Sequence, residues 1–211
     1  MIKKYSILTG IIISIILLSI AMAIYPGGSM FDKNTTGFSF TKNFISNLFG
    51  SKALNGAHNP SRIWALLAML ILPFTYALFF SSMAKKIPNI KIANIVKYAG
   101  LANIFCTFLI VTALHDLMLN ISITLFWSNI VFITAFIFKT RLWVFKILCI
   151  ICVLIFYYSI FLWATNNWVL LPILQKINFI NSTLLIIALE YFTTAQDFTA
   201  RQMPAPANTS L

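Results

Sequence analysis

The sequence predicts an all-α membrane protein: a polytopic transmembrane helical bundle of six spans, with a short amphipathic helix in its first external loop. Three observations predict it. Hydrophobic residues make up 60% of the chain and charged residues 9%, with a mean hydropathy of +0.91. A water-soluble domain of 211 residues has to present far more polar surface than that. The apolar residues also fall into six stretches, each near the roughly 20 residues a helix needs to cross about 30 Å of hydrocarbon. No strand-like alternation runs through them, and in hydrocarbon a helix pairs every backbone amide within its own segment.

The first span is expected over Ser6–Tyr25. Lys3-Lys4, the apolar run and Ala21-Met22-Ala23 also imitate a cleavable secretory signal. The run is long for a signal core, however, and Tyr25-Pro26 follows at a natural membrane exit. The second span is Ile63–Met83, interrupted by Pro73, and the third is Tyr98–Leu114. His115 to Asn120 would connect it to the fourth, Ile121–Phe138, in a tight antiparallel hairpin. Lys139–Arg141 leads into the fifth, Leu142–Trp163. The sixth is Leu174–Thr194, with Gln175, Lys176 and Asn178 leaving its start open as far as Asn178. Residues 1–200 thus form one transmembrane domain, 26–62 an external capping loop, and 201–211 a polar, Pro-containing tail expected to be disordered.

The basic residues orient the bundle. With the N-terminus inside, the cytoplasmic segments hold Lys3, Lys4, Lys85, Lys86, Lys91, Lys97, Lys139, Arg141, Lys146 and Arg201, ten of the fifteen in the chain. The outer segments hold Lys33, Lys42, Lys52, Arg62 and Lys176. Lysine and arginine in short loops mark the cytoplasmic side, and long loops count for less. Both termini are therefore expected in the cytoplasm, most simply of a bacterial inner membrane. The net charge of +11 then faces anionic lipid. It is spread over several loops with no compact patch, which makes a poor nucleic-acid surface, and no nucleic-acid partner is expected.

The first external loop is too long for a plain connection. Pro26-Gly27-Gly28 ends the first helix. Phe40, Phe44 and Leu48 recur at i, i+4, i+8, with Ile45 and Phe49 on the same stripe and Asn43, Ser46 and Asn47 opposite. That spacing predicts a short amphipathic helix in the headgroup layer or capping the bundle. Phe40, Phe44, Leu48 and Phe49 are its expected contacts with lipid or a membrane-protein partner.

Tyr25-Pro26-Gly27-Gly28, Gly37-Phe38-Ser39-Phe40 and the run from Asn43 to Gly50, followed by Asn59 and Ser61, resemble the first external loop of a prokaryotic six-span membrane family. It is family 998 of the domains of unknown function, itself distantly similar to the DRAM and FRAG-type membrane proteins of eukaryotes. The family pattern carries aspartate then glycine where this chain has Asn47 and Phe49 beside Gly50. The resemblance implies the six-span layout and, by analogy only, roles in lipid handling, GPI-lipid remodelling or membrane trafficking.

Ionisable groups near the spans are few and costly in lipid, so each is a candidate site. His115 and Asp116 are placed at the outer end of the third helix, with His58 and Asp32 in the outer loop. A histidine beside a carboxylate can form an acid–base pair, and the four together could ligate zinc. A lipid-modifying hydrolase or transferase would use His58, His115 and Asp116 in this way. Against it, a His-Asp pair at a helix end is commonly a cap, and no HExxH or GxSxG motif is present. No metal centre and no cofactor is expected. Glu190, one turn from the inner end of the last span, is a candidate ion or proton site for a small transporter, or else a hydrogen-bonding partner of a neighbouring helix. Asn103, Thr107, Ser128 and Asn129 suit interhelical hydrogen bonds. Cys106, Cys149 and Cys152 read as packing residues. The leading expectation is a non-enzymatic membrane protein that binds lipid or a membrane partner through its outer loop and bundle.

Overall fold

In a computed structural model, which describes residues 2–199 and side chains from Tyr5 onward, the chain is a helical bundle. Its elements are α1 (Ile2–Ala23), α2 (Ser61–Ala84), α3 (Ile90–Leu109), α4 (His115–Ile137), α5 (Trp143–Ala164), α6 (Leu171–Phe192) and a short α7 (Ala195–Thr199), with one 3-10 turn at Ile45–Phe49. The first six are long and apolar enough to cross a membrane, which makes this a multi-pass membrane protein. Among the described residues the only β pairing is two isolated bridges in the loop between α1 and α2. The predicted 201–211 tail and Arg201 lie outside the described residues.

Helix α2 is the hub and packs against α1, α3, α6 and the 3-10 turn. Two glycines let its neighbours approach. A Cβ at Gly10 would lie 2.2 Å from Thr75 Oγ1, and one at Gly100 would lie 2.6 Å from Phe80 Cβ. Two apolar clusters occupy the two ends of the bundle. One gathers Phe79, Phe80, Met83, Val96, Ile133 and Leu189 in the half of the bundle nearest the N-terminus, with Phe198 of α7 joining it. The other, at the opposite end, joins Leu18, Ala21, Ala65 and Ala68 of the helices to Tyr25, Leu48 and Ala53 of the α1–α2 loop. That loop is a folded cap, and its end of the bundle is called the cap end below.

Helix ends depart from the hydropathy boundaries in three places. Helix α3 starts at Ile90, eight residues before the predicted Tyr98, because Asn89 caps it by accepting hydrogen bonds from the amides of Lys91 and Ile92 at 3.0 and 3.1 Å. Lys91 and Lys97 lower the local hydropathy without ending the helix. At the other end α3 stops at Leu109, and α4 begins at His115 rather than Ile121. His115 and Asp116 therefore open α4 instead of closing α3, and the α3–α4 connection is 110–114. An acidic residue in a first turn complements the helix dipole. Helix α6 starts at Leu171, with Pro172 in its first turn where the missing amide costs nothing. Gln175 and Lys176 thus belong to its second turn.

Polar side chains join the helices at two of the four expected positions, Thr107 and Asn129, whereas the buried Asn103 Oδ1 has no hydrogen-bond partner among the described residues. Asn129 Nδ2 donates to Val96 O at 3.1 Å, and Thr107 shares a hydrogen bond with Ser122 at 3.2 Å. Ser128 points away and is exposed, so Ser122 takes the place expected for it. Cys149 and Cys152 are buried and unbridged. Trp127 stacks on Phe156 at 4.1 Å, while Trp64, Trp143, Trp163 and Trp168 are exposed, the arrangement of an interfacial belt.

Candidate functional site

The cap is built by side chains that bond backbone rather than by regular structure. Gly27 and Gly28 adopt φ of +138° and +83°. A Cβ at Gly28 would meet Asn55 N at 2.3 Å, so only glycine lets the chain turn back against the second half of the loop. Asn43, fully buried, donates from Nδ2 to Gly28 O at 2.7 Å and accepts from Ser39 N at 2.8 Å. Asn59, also buried, donates to Leu48 O and Gly50 O at 3.1 and 2.9 Å. Tyr25 OH accepts from Leu54 N at 3.0 Å, and burial pushes its phenol above the ordinary 10.0 against the lowering effect of that bond.

The same asparagines shorten the helix expected here. Asn43 and Asn47 spend their carbonyl oxygens on the amides of Ser39 and Phe44, an alternative to helical pairing. Only Ile45–Phe49 closes into a 3-10 turn. Phe40, Phe44 and Leu48 consequently do not share one face. Leu48 is fully enclosed, Phe49 is partly buried against the cap-end cluster, and Phe44 is half-buried. The outward contact expected of Leu48 is therefore ruled out by its burial. Phe40 is 52% exposed and is joined at the surface by Met30 and Phe31.

Lys176 fastens this cap to the bundle. It is 2% exposed, and its ammonium donates to Asn43 O and to Pro172 O, the latter at 2.7 Å. Two rings cover it, with centroids 5.4 Å (Phe38) and 5.1 Å (Phe40) from Nζ. Next to it, Gln175 Oε1 accepts from Ile45 N at 2.8 Å. Two polar residues that looked like a weak start to the sixth span are thus the tether between α6 and the cap. The legible signal was a lysine and a glutamine side by side at the mouth of a span, near a loop rich in phenylalanine.

The candidate catalytic residues are spread over the surface. His115 Nδ1 lies 2.9 Å from Asp116 Oδ1, with both side chains well exposed. His58 is exposed on the Lys52–His58 bridge of the cap. Asp32 is exposed and spends Oδ1 on Asn34 N in a tight turn. Among the described residues no three His, Cys, Asp or Glu side chains approach closely enough to hold a metal ion.

Glu190 lies at the opposite end of the bundle. Its Oε1 accepts from Ser82 Oγ at 2.9 Å and its Oε2 is 3.9 Å from Lys86 Nζ. Lys86 also donates to Leu189 O and Glu190 O, both at 2.9 Å, and so caps the C-terminus of α6. Burial lowers the Lys86 pKa below 10.5, while Glu190 and Asp197 oppose that shift. The glutamate thus ties α6 to α2 through Ser82 and to the α2–α3 connection through Lys86, whose sequence signal is only topogenic charge. No family model matches this chain, and neither a curated protein nor a solved structure is detectably similar to it.

Proposed function

We propose that this protein is a non-enzymatic, multi-pass component of a bacterial inner membrane, with both termini cytoplasmic, that engages the outer headgroup layer through its cap. The observation that carries the reading is a rigid cap with apolar side chains on its outside. Asn43, Asn59 and Lys176 hold the backbone in place, yet Met30, Phe31 and Phe40 are left 53%, 45% and 52% exposed. Apolar groups held out on an ordered scaffold at a membrane boundary mark a contact surface. Depth supports lipid as that contact. Lys176 is five residues into α6, about 7 Å along its axis, and Phe40 lies over its ammonium. The fourfold basic cluster Lys85, Lys86, Lys91 and Lys97 supports the orientation.

A probe tests it. Met30→Cys carrying an environment-sensitive nitrobenzoxadiazole label, in vesicles containing brominated phospholipid, is expected to emit blue-shifted and to be quenched. Emission characteristic of water with no quenching would remove the cap from the bilayer and end the proposal. A lipid-modifying reading rests on the His115–Asp116 pair alone, and a transport reading on a Glu190 already engaged by Ser82 and Lys86. Both are weaker, because the first pair lies exposed at the start of a helix and the second is already held between α2 and α6.

A further inference from the structure

We infer that the cap-end halves of α2 and α3 form a site for one phospholipid, with an acyl chain in the groove between them and its phosphate on Arg62. The inference rests on the membrane reading above but on a surface distinct from the cap. Helices α2 and α3 are in close contact where Gly100 meets Phe80. Toward the cap they part, and a groove of about 330 Å³ opens between Ile63, Leu66, Met69 and Leu70 on one wall and Phe108 and Val111 on the other. That volume falls in the roughly 300–1,000 Å³ range of small-ligand sites. Its lining is almost wholly apolar. The Phe74 and Phe108 rings meet at 5.8 Å on the side toward the middle of the bundle and close the groove there.

The open end has the opposite character. Arg62, Leu66, Met69 and Leu70 are spaced i, i+4, i+7, i+8, so they lie along one face of α2. Arg62 is exposed in the first turn of α2, one turn to the cap side of Leu66 on the groove's α2 wall. Its planar fork suits a phosphate. Leu70 is eight residues below, about 12 Å along the helix, and 47% exposed to the surrounding hydrocarbon. An exposed cation one turn above an oily trough matches the polarity of a phospholipid of the cap-side leaflet. A free phosphate would leave the trough unused, and a bare hydrocarbon chain would leave Arg62 unused.

Native mass spectrometry of the purified full chain tests this. After delipidation, phosphatidylglycerol is added back in parallel with dioleoylglycerol, which carries chains but no phosphate. One phosphatidylglycerol is expected to be retained per protein. Arg62→Gln is expected to cut that retention roughly tenfold, the scale of one charge-assisted hydrogen bond. Leu70→Trp, which fills the groove from an exposed position, is expected to abolish it. Ile151→Trp on the exposed face of α5 serves as control and is expected to leave retention unchanged. Equal retention of dioleoylglycerol overturns the proposal, as does equal retention by Leu70→Trp and the α5 control. Cap quenching and groove occupancy are read on separate variants, so either can fail without the other.

Discussion

Among the described residues Lys176 is the one charged side chain that is fully buried, 2% exposed and with no carboxylate in ion-pair distance. Burying a charge costs several kcal/mol unless hydrogen bonds and favourable dipoles replace water. Two backbone carbonyls and the faces of Phe38 and Phe40 do so for Lys176. Lys176→Met keeps the stem but strips the donors, leaving Asn43 O unpaired inside the cap. The expected loss is about 1–3 kcal/mol of cap stability, read as roughly a tenfold or greater rise in proteolytic cleavage within 26–60. Unchanged resistance would show that the tether is incidental. Tyr25 gives a pH test at the same site. Its folded pKa lies above the ordinary 10.0, so the contribution is intact below pH 10 and is lost as pH rises through the folded value. The protease resistance of the cap is expected to fall steeply above pH 10, and Tyr25→Phe to flatten that fall while losing the Leu54 bond. Residue type alone shows only that a lysine and a glutamine stand together at the mouth of a span. Hydropathy treats Lys176 as a defect in a span, whereas its role depends on a backbone carbonyl 133 positions earlier.

At the scale of elements, the cap turns on conformation that only glycine reaches cheaply, and two glycines separate the possible causes. Gly28 and Gly37 both have positive φ, +83° and +70°. Around Gly37 a Cβ would meet nothing within 4 Å, while at Gly28 it would strike Asn55 N. Gly37→Ala is therefore expected to cost only the left-handed backbone penalty of about 1–2 kcal/mol. Gly28→Ala adds a clash with rigid backbone and is expected to exceed about 3 kcal/mol. Thermal unfolding of the two variants in detergent checks the ordering, and equal losses would mean that the turn yields. The sequence marked this turn correctly through Pro26-Gly27-Gly28. It overestimated the helix that follows, because an i, i+4, i+8 stripe of Phe40, Phe44 and Leu48 says nothing about Asn43 and Asn47 capturing the amides a helix would use. Helix existence was legible for all six spans. Their ends were not, since hydropathy finds the hydrocarbon boundary whereas the Asn89 cap and the first-turn Pro172 mark where α3 and α6 begin.

For the whole molecule, the bilayer sets a length and a composition, and so the span count is readable without tertiary information. Which faces are buried is not, because lipid and core reward the same side chains. Helix α5 makes the point. It is apolar almost throughout, yet only Cys149, Cys152 and Leu162 are buried in it. Orientation rests on charge, and the fold sharpens that argument. Of the five basic residues at the cap end, Lys176 is sealed inside the protein, and Lys33, Lys42 and Lys52 belong to a long loop that counts little toward topology. At the opposite end Lys85 and Lys91 flank a short α2–α3 connection and are exposed, as are Lys139 and Arg141 between α4 and α5. The retained bias is therefore stronger than the raw tally. Ala57→Cys in the exposed part of the cap is expected to react with a membrane-impermeant thiol reagent on intact cells, and Lys85→Cys only after permeabilisation. The native cysteines lie within α3 and α5 and give no competing signal in water. The reverse pattern would place the cap in the cytoplasm and the basic loops outside, against the rule that orients nearly all such helices. It would also move the Arg62 groove to the inner leaflet, leaving its chemistry intact but changing the pool of lipid it draws from.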